Sequence, residues 1–294
     1  QPQLKQPCIR SRLHNVFTSN GPEMMPMFHS PPRSCLHRRP GKLCARFRMA
    51  GLLPGLCLIW SVSQAAVPGY GDFDAVLLRN VERGFVDYAG IAADPAFARF
   101  MVSLEETRPE EAADSRARSA LLINAYNAFA IQGILDGYSP SSRLGRYSYF
   151  KRREYQLMGE PVTLHELESR QLMPLGDPRI HFAIVCASIS CPRLASRAYV
   201  PDQLEKQLDV AAHSFINDST RNRYDLQRRI AFVSRIFDWY RDDFAAASGS
   251  VQRYIATHVN DPAVAALLAT DGFELRFVPY DWELNGTLPH QTGP

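Results

Sequence analysis

The sequence predicts a single α+β domain over residues 68–288, with a central buried helix packed on a small mixed sheet. Residues 121–135 are apolar on nearly every side, as a helix at the centre of a fold must be. Residues 180–186, 229–234 and 273–277 are short runs with the β-branched content or the alternation of strands. After residue 67 neither a repeat nor a linker-like stretch divides the chain.

Two segments precede that domain. Residues 1–48 mix Pro, Ser, Arg and His without periodicity and are expected to be unstructured or spurious upstream sequence, with Met49 as the start. Arg46 and Arg48, an apolar run over 52–62 and the small residues Ala65 and Ala66 then have the order of a secretory signal at 49–66. The run is too short to cross about 30 Å of hydrocarbon. The expected product is periplasmic or secreted, with no membrane span once the signal is removed. The formal charge of +3 is a property of the leader, because the first 65 residues carry nine of the 33 Lys+Arg and one of the 30 Asp+Glu. The remainder is acidic, at about −5, which excludes an electrostatic footprint for nucleic acid or an anionic membrane.

Within the domain, Phe73, Val76, Leu77 and Val81 fall at helical spacing, and residues 84–88 read as extended. Asp94-Pro95 begins a second helix by capping logic. A third opens near Pro109 and runs through the central segment to Gly137, where Gly137 and Pro140 stop it. On it Asn124 and Asn127 share a face, so two amides are expected to be buried together against the strand carrying His181. They either brace neighbouring loops or line a site. Thr163 and Glu166 have capping-box spacing, which accounts for Glu166 without catalysis. In a strand over 180–186 the period of two sets His181 and Cys186 on opposite faces. A helix follows from Pro201 to near Asn217-Asp218, a strand at 229–234, a helix at 236–244, one or two helices over 251–269, and a last strand at 273–277.

Val86-Asp-Tyr88, Ile123 to Ala128, His181-Phe-Ala through Cys191-Pro192, Ser234 to Tyr240, and Tyr280 to Asn285 stand in the order and spacing of a known family. The chain resembles the domain of unknown function 547 family over nearly all of residues 70–286. The resemblance implies an exported bacterial protein of unestablished activity. One position departs from it: after Glu168 members often carry a histidine, and here stands Ser169, so a metal site would lack that ligand.

The reactive chemistry is concentrated between His181 and Cys191. Three readings of Cys186 and Cys191 stay open. In an exported domain they form a disulfide. Alternatively Cys191 is a nucleophile at the N-terminus of a helix begun by Pro192, with His181 as base and Asp281 or Asn124 as orienter. A metal site using His181 and the cysteines is the third, disfavoured by the opposite strand faces. In papain-like and transglutaminase-like enzymes the nucleophile precedes the histidine, so only a permuted form of that fold suits this order. Asp238, Asp242 and Asp243 form an acidic cluster, in which Asp238 and Asp242 at i, i+4 read as a solvated helix face rather than a metal clamp. No phosphate loop, Gly-x-Ser-x-Gly elbow or His-Glu-x-x-His is present, and no cofactor is expected. The function is then either a thiol-dependent hydrolase or acyl transferase centred on Cys191, or a non-catalytic binding or envelope-associated module stapled by a disulfide. In either case the partner is a small molecule or a peptide.

Overall fold

The structure, a computed structural model, describes residues 70–288; the signal-like series at 49–66 and the segment before it lie outside the described residues. Helix α1 (Tyr70–Asn80) leads into a hairpin of β1 (Val81–Glu82) and β2 (Phe85–Asp87). The hairpin turns at Gly84, with φ +85°, where an added Cβ would lie 2.5 Å from the Arg193 Cβ. Only glycine fits that approach. Asp87 and Asp94 cap α2 (Tyr88–Ala93) and α3 (Pro95–Glu106) through their carboxylates, as Asp94-Pro95 predicts.

The central helix α4 (Ser115–Leu135) buries 15 of its 21 residues. It starts later than Pro109, because Asp114 receives the Arg116 and Ala117 N–H groups, each at 3.0 Å, and only a single 3-10 turn (Pro109–Ala112) precedes it. α5 (Arg143–Tyr147) and the hairpin of β3 (Glu154–Leu157) and β4 (Glu160–Thr163) follow. The capping box of Thr163 and Glu166 is formed and opens α6 (Leu164–Glu166), which widens into a π-helical turn (Leu167–Leu172) holding Glu168.

Residues 180–186 are not a strand. Asp177 caps a 3-10 turn (Pro178–Phe182), and the chain then runs irregularly to Cys186. The backbone bonds that a neighbouring strand would supply come from one side chain: Asn127 donates to the Ala183 carbonyl and accepts from the Val185 N–H, both at 2.9 Å. Arg179 locks the turn down by pairing with Asp177, Glu205 and Asp209. Nor does a helix start at Pro192; residues 192–200 stay irregular, and the next helix, α7 (Leu204–Ile216), follows a 3-10 turn at Pro201–Gln203.

A hairpin of β5 (Arg223–Asp225) and β6 (Ile230–Val233) precedes α8 (Ile236–Trp239) and α9 (Arg241–Ser248). The helix predicted over 236–244 breaks at Tyr240, whose φ of −111° and ψ of 30° leave the helical region. Helices α10 (Val251–Ala256) and α11 (Pro262–Ala269) lead to β7 (Glu274–Phe277) and β8 (Gly286–Thr287). The fold is a single α+β domain in which the strands form three small sheets rather than one. Two are mixed, because β7 joins β6 and β8 joins β2 in parallel to antiparallel hairpins.

Two apolar clusters make up the interior. One surrounds α4; the other gathers Phe182, Phe215, Phe237, Phe244, Tyr254 and Leu268. They meet at the 3-10 turn, where Ile180 belongs to the first and Phe182 to the second, with buried His181 between. Among the described residues no helix is long and apolar enough to cross a membrane.

Candidate functional site

Cys186 and Cys191 are joined by a disulfide, with 6.3 Å between their Cα atoms. The loop they close is held from outside. Ile189 and Ser190 donate backbone bonds to Glu283 and Asp281, and Asn285 donates to Ala187. Ala187 itself has φ +60°, a left-handed conformation unusual for a residue with a Cβ. The Cys191 sulfur, 2% exposed as a residue, is within reach of three donors: the Cys186 N–H at 3.0 Å, the Tyr280 hydroxyl at 3.2 Å and the Ser188 hydroxyl at 3.5 Å.

His181 stacks on Tyr240 with ring centroids 3.8 Å apart, and its Nε2 lies 2.9 Å from Asp243 Oδ2. That carboxylate assigns the Nε2–H tautomer and leaves Nδ1 as the lone-pair nitrogen. Burial pushes the His181 pKa below the usual imidazole value, against the opposing pull of Asp243. Nδ1 is buried without a partner among the described residues.

Tyr240 also donates a 2.5 Å bond to Glu168, whose other oxygen accepts from Tyr126 at 3.1 Å. Burial raises the Glu168 pKa to about 7 and outweighs the two tyrosine donors, which lower it. Its proton is therefore in play near neutrality, a property that clusters at functional sites.

These groups line one cavity of about 50 Å³, bounded by Glu168, His181, Cys186, Cys191 and an aromatic wall of Trp239, Tyr280 and Trp282. Trp239 and Trp282 ring centroids are 5.9 Å apart, and each lies under 5 Å from that of Tyr280. The Trp239 indole N–H is a second buried group with no partner among the described residues. An orphan donor and an orphan acceptor in one cavity are sites for water or for a polar group of a ligand.

Of the residues singled out in the sequence, the structure brings His181 and Cys191 to this cavity. Asp281 is exposed, and its carboxylate accepts the Glu283 N–H at 2.9 Å. Asn124 is fully buried and exchanges two bonds with the Tyr199 backbone, so it braces a loop outside the cavity lining. The carboxylate partner of His181 is Asp243, a member of the acidic cluster to which the sequence assigned no role. Nothing local distinguishes it from Asp238 and Asp242; its role follows from α9 packing on the 3-10 turn. Glu168, Tyr126 and Tyr240 were likewise not legible as a group. The one signal was a second acidic residue just past a capping box whose own glutamate was already used. Among the described residues no three His, Cys, Asp or Glu side chains are placed to share a metal ion.

Residues 111–216 match the family described as "Protein of unknown function, DUF547". No curated protein and no solved structure matches the chain. The matched segment contains α4, Glu168, His181 and both cysteines, while Tyr240, Asp243 and Tyr280, which complete the cavity and its hydrogen bonds, come from beyond it. That match assigns residues 111–216 to the DUF547 family, and the ordered motifs of the resemblance continue beyond it to Asn285.

Proposed function

We propose that the chain is an exported thiol-dependent hydrolase or acyl transferase, with Cys191 as nucleophile in the reduced state, His181 as base and Asp243 orienting it. The observation that carries this reading is the pairing of His181 Nε2 with Asp243, which leaves the Nδ1 lone pair unpartnered among the described residues, on a residue that lines the same cavity as Cys191. The disulfide is then a resting state. An external dithiol delivers two electrons and two protons to the pair and is itself oxidised to a disulfide. Cys191 passes its proton to His181, and the Cys186 N–H and the Tyr280 and Ser188 hydroxyls stabilise the thiolate. The thiolate attacks the acyl carbon of an ester, thioester or amide, the leaving group departs with the proton from His181, and water or a second nucleophile takes the acyl group and restores the thiol.

After treatment with a dithiol, Cys191 is expected to be alkylated by iodoacetamide faster than Cys186 at neutral pH, and His181→Ala or Asp243→Asn slows that reaction. Hydrolysis of an activated acyl ester should appear with reduction and vanish in Cys191→Ser. Equal alkylation of the two thiols, or ester hydrolysis that survives Cys191→Ser, overturns the catalytic role.

A second reading is favoured by the closed disulfide itself: a binding module in which Cys186–Cys191 is a staple for the loop paired with residues 281–285. On that reading the Cys186→Ser, Cys191→Ser double variant loses stability and keeps its ligand. Export is supported by the series from Arg46 to Ala66 and by a disulfide that suits an oxidising compartment. N-terminal sequencing of protein from the envelope or medium should read a start near Ala66, and a mature start well upstream of Met49 defeats it.

A further inference from the structure

A cleft of about 750 Å³ adjoins the small cavity, and Pro192 lines both. Its volume lies in the range of small-molecule sites. We propose that this cleft binds a small anionic amphiphile, a carboxylate or phosphate head on an apolar chain. The proposal does not rest on the thiol chemistry assigned to Cys191.

Charge argues for the head. Arg83, Arg193, Arg197, Lys206 and Arg221 line the cleft against two carboxylates, Asp74 and Asp218. Asp74 neutralises Arg197, but Asp218 is shared by the two guanidiniums of Arg193 and Arg221. Exposed Lys206 and Arg83 have no side-chain partner among the described residues. Three positive charges are left over in a concave surface, where the field is focused and solvent screens less. The domain as a whole is acidic, so this excess is local.

The body of the cleft argues for the tail. Half-buried Ala195, Val200 and Ala211 and exposed Val210, at 56%, present apolar surface to it, over a floor of buried Phe182, Leu194, Tyr199 and Phe215. A fully hydrated anion such as phosphate has no use for those surfaces; an acyl or alkyl chain does.

The irregular wall at residues 192–200 is fixed in place, which makes the cleft preformed. Ala198 donates to Asp74 at 3.0 Å, Tyr199 exchanges bonds with Asn124 at 2.7 and 2.9 Å, and Gln207 spans Ala198 and Val200 at 2.8 and 2.9 Å. Arg221 bonds the Cys191 and Ile189 carbonyls at 2.9 and 2.7 Å, so its guanidinium is held between the cleft and the disulfide loop. Binding therefore orders little that is not ordered already.

The test is calorimetric titration of the full protein with octanoate, octyl phosphate, octyltrimethylammonium and inorganic phosphate, each below its micellar concentration. Octanoate and octyl phosphate should bind at one site, weakening with added salt. Substituting the exposed Lys206→Glu and Arg83→Glu should weaken both by at least about tenfold, the scale of lost charge-assisted bonds. Val210→Asp should weaken them while leaving the melting temperature unchanged. The Cys186→Ser, Cys191→Ser double variant should bind as the parent does, which separates this site from the thiol reading. Equal binding of the cationic amphiphile, binding of inorganic phosphate as tight as that of octyl phosphate, or no binding of either anion overturns the proposal.

Discussion

Glu168 and His181 titrate in opposite senses. Burial raises Glu168 from an ordinary 4.5 to about 7, so the folded protein holds a proton that the unfolded chain has released between those values. The stability this contributes is fully present below about pH 4.5 and is lost as pH rises through about 7. For His181 burial lowers the pKa, so its contribution is present above the unfolded imidazole value of 6.5 and lost as pH falls. Glu168→Gln cannot ionise, and its stability relative to the parent should improve by roughly 3 kcal/mol between pH 4.5 and 8. Urea unfolding of both proteins at the two pH values measures this, and a difference independent of pH refutes a protonated Glu168. Tyr240 couples the two sites, since it stacks on His181 and donates to Glu168.

At the scale of elements, the segment from Ile180 to Cys191 carries the site with almost no regular structure of its own. Its backbone is satisfied from outside by Asn127 on α4 and by residues 281–285. Asn127→Leu removes both amide bonds and leaves the Ala183 carbonyl and the Val185 N–H buried and unpaired. The expected cost is about 2–4 kcal/mol, from two abandoned groups, measured by chemical denaturation. A loss below about 0.5 kcal/mol, the scale of a neutral surface change, would mean that the segment holds its shape without the clamp. Asn124→Leu acts on the neighbouring element, loosening the cleft wall at Tyr199 rather than the chain at His181.

In the whole molecule, the site stands where two apolar clusters join. Phe182, fully buried and ringed by Phe215, Phe237, Phe244 and Tyr254, ties the turn beside His181 into the second cluster. Phe182→Ala should cost about 3–5 kcal/mol, the usual penalty for deleting a buried aromatic. Because the seam is shared, both clusters should still melt in one transition, with far-UV and near-UV circular dichroism coincident. Separate transitions in the parent protein would show that the clusters fold independently. The same seam explains why motifs far apart in sequence belong together: the Tyr88 hydroxyl bonds the Asn285 side chain at 2.7 Å, and Tyr280 reaches Cys191.

Local sequence was enough for the features that local energetics decide. Asp94 and the Thr163–Glu166 box announce helix starts because a side-chain acceptor there satisfies orphan N–H groups within three residues. An apolar surface on every side of residues 121–135 required burial, and burial required partners for Asn124 and Asn127. Tertiary structure decided the rest. Whether residues 180–186 would be a strand depended on what lay beside them, and an asparagine side chain lay there instead of a strand. Asp243 became the partner of His181, and Glu168 a proton holder near neutrality, through desolvation and pairing set by groups 62 and 72 residues away. Those energies depend on distance through space and on exclusion of water, neither of which is written in the spacing of residues along the chain.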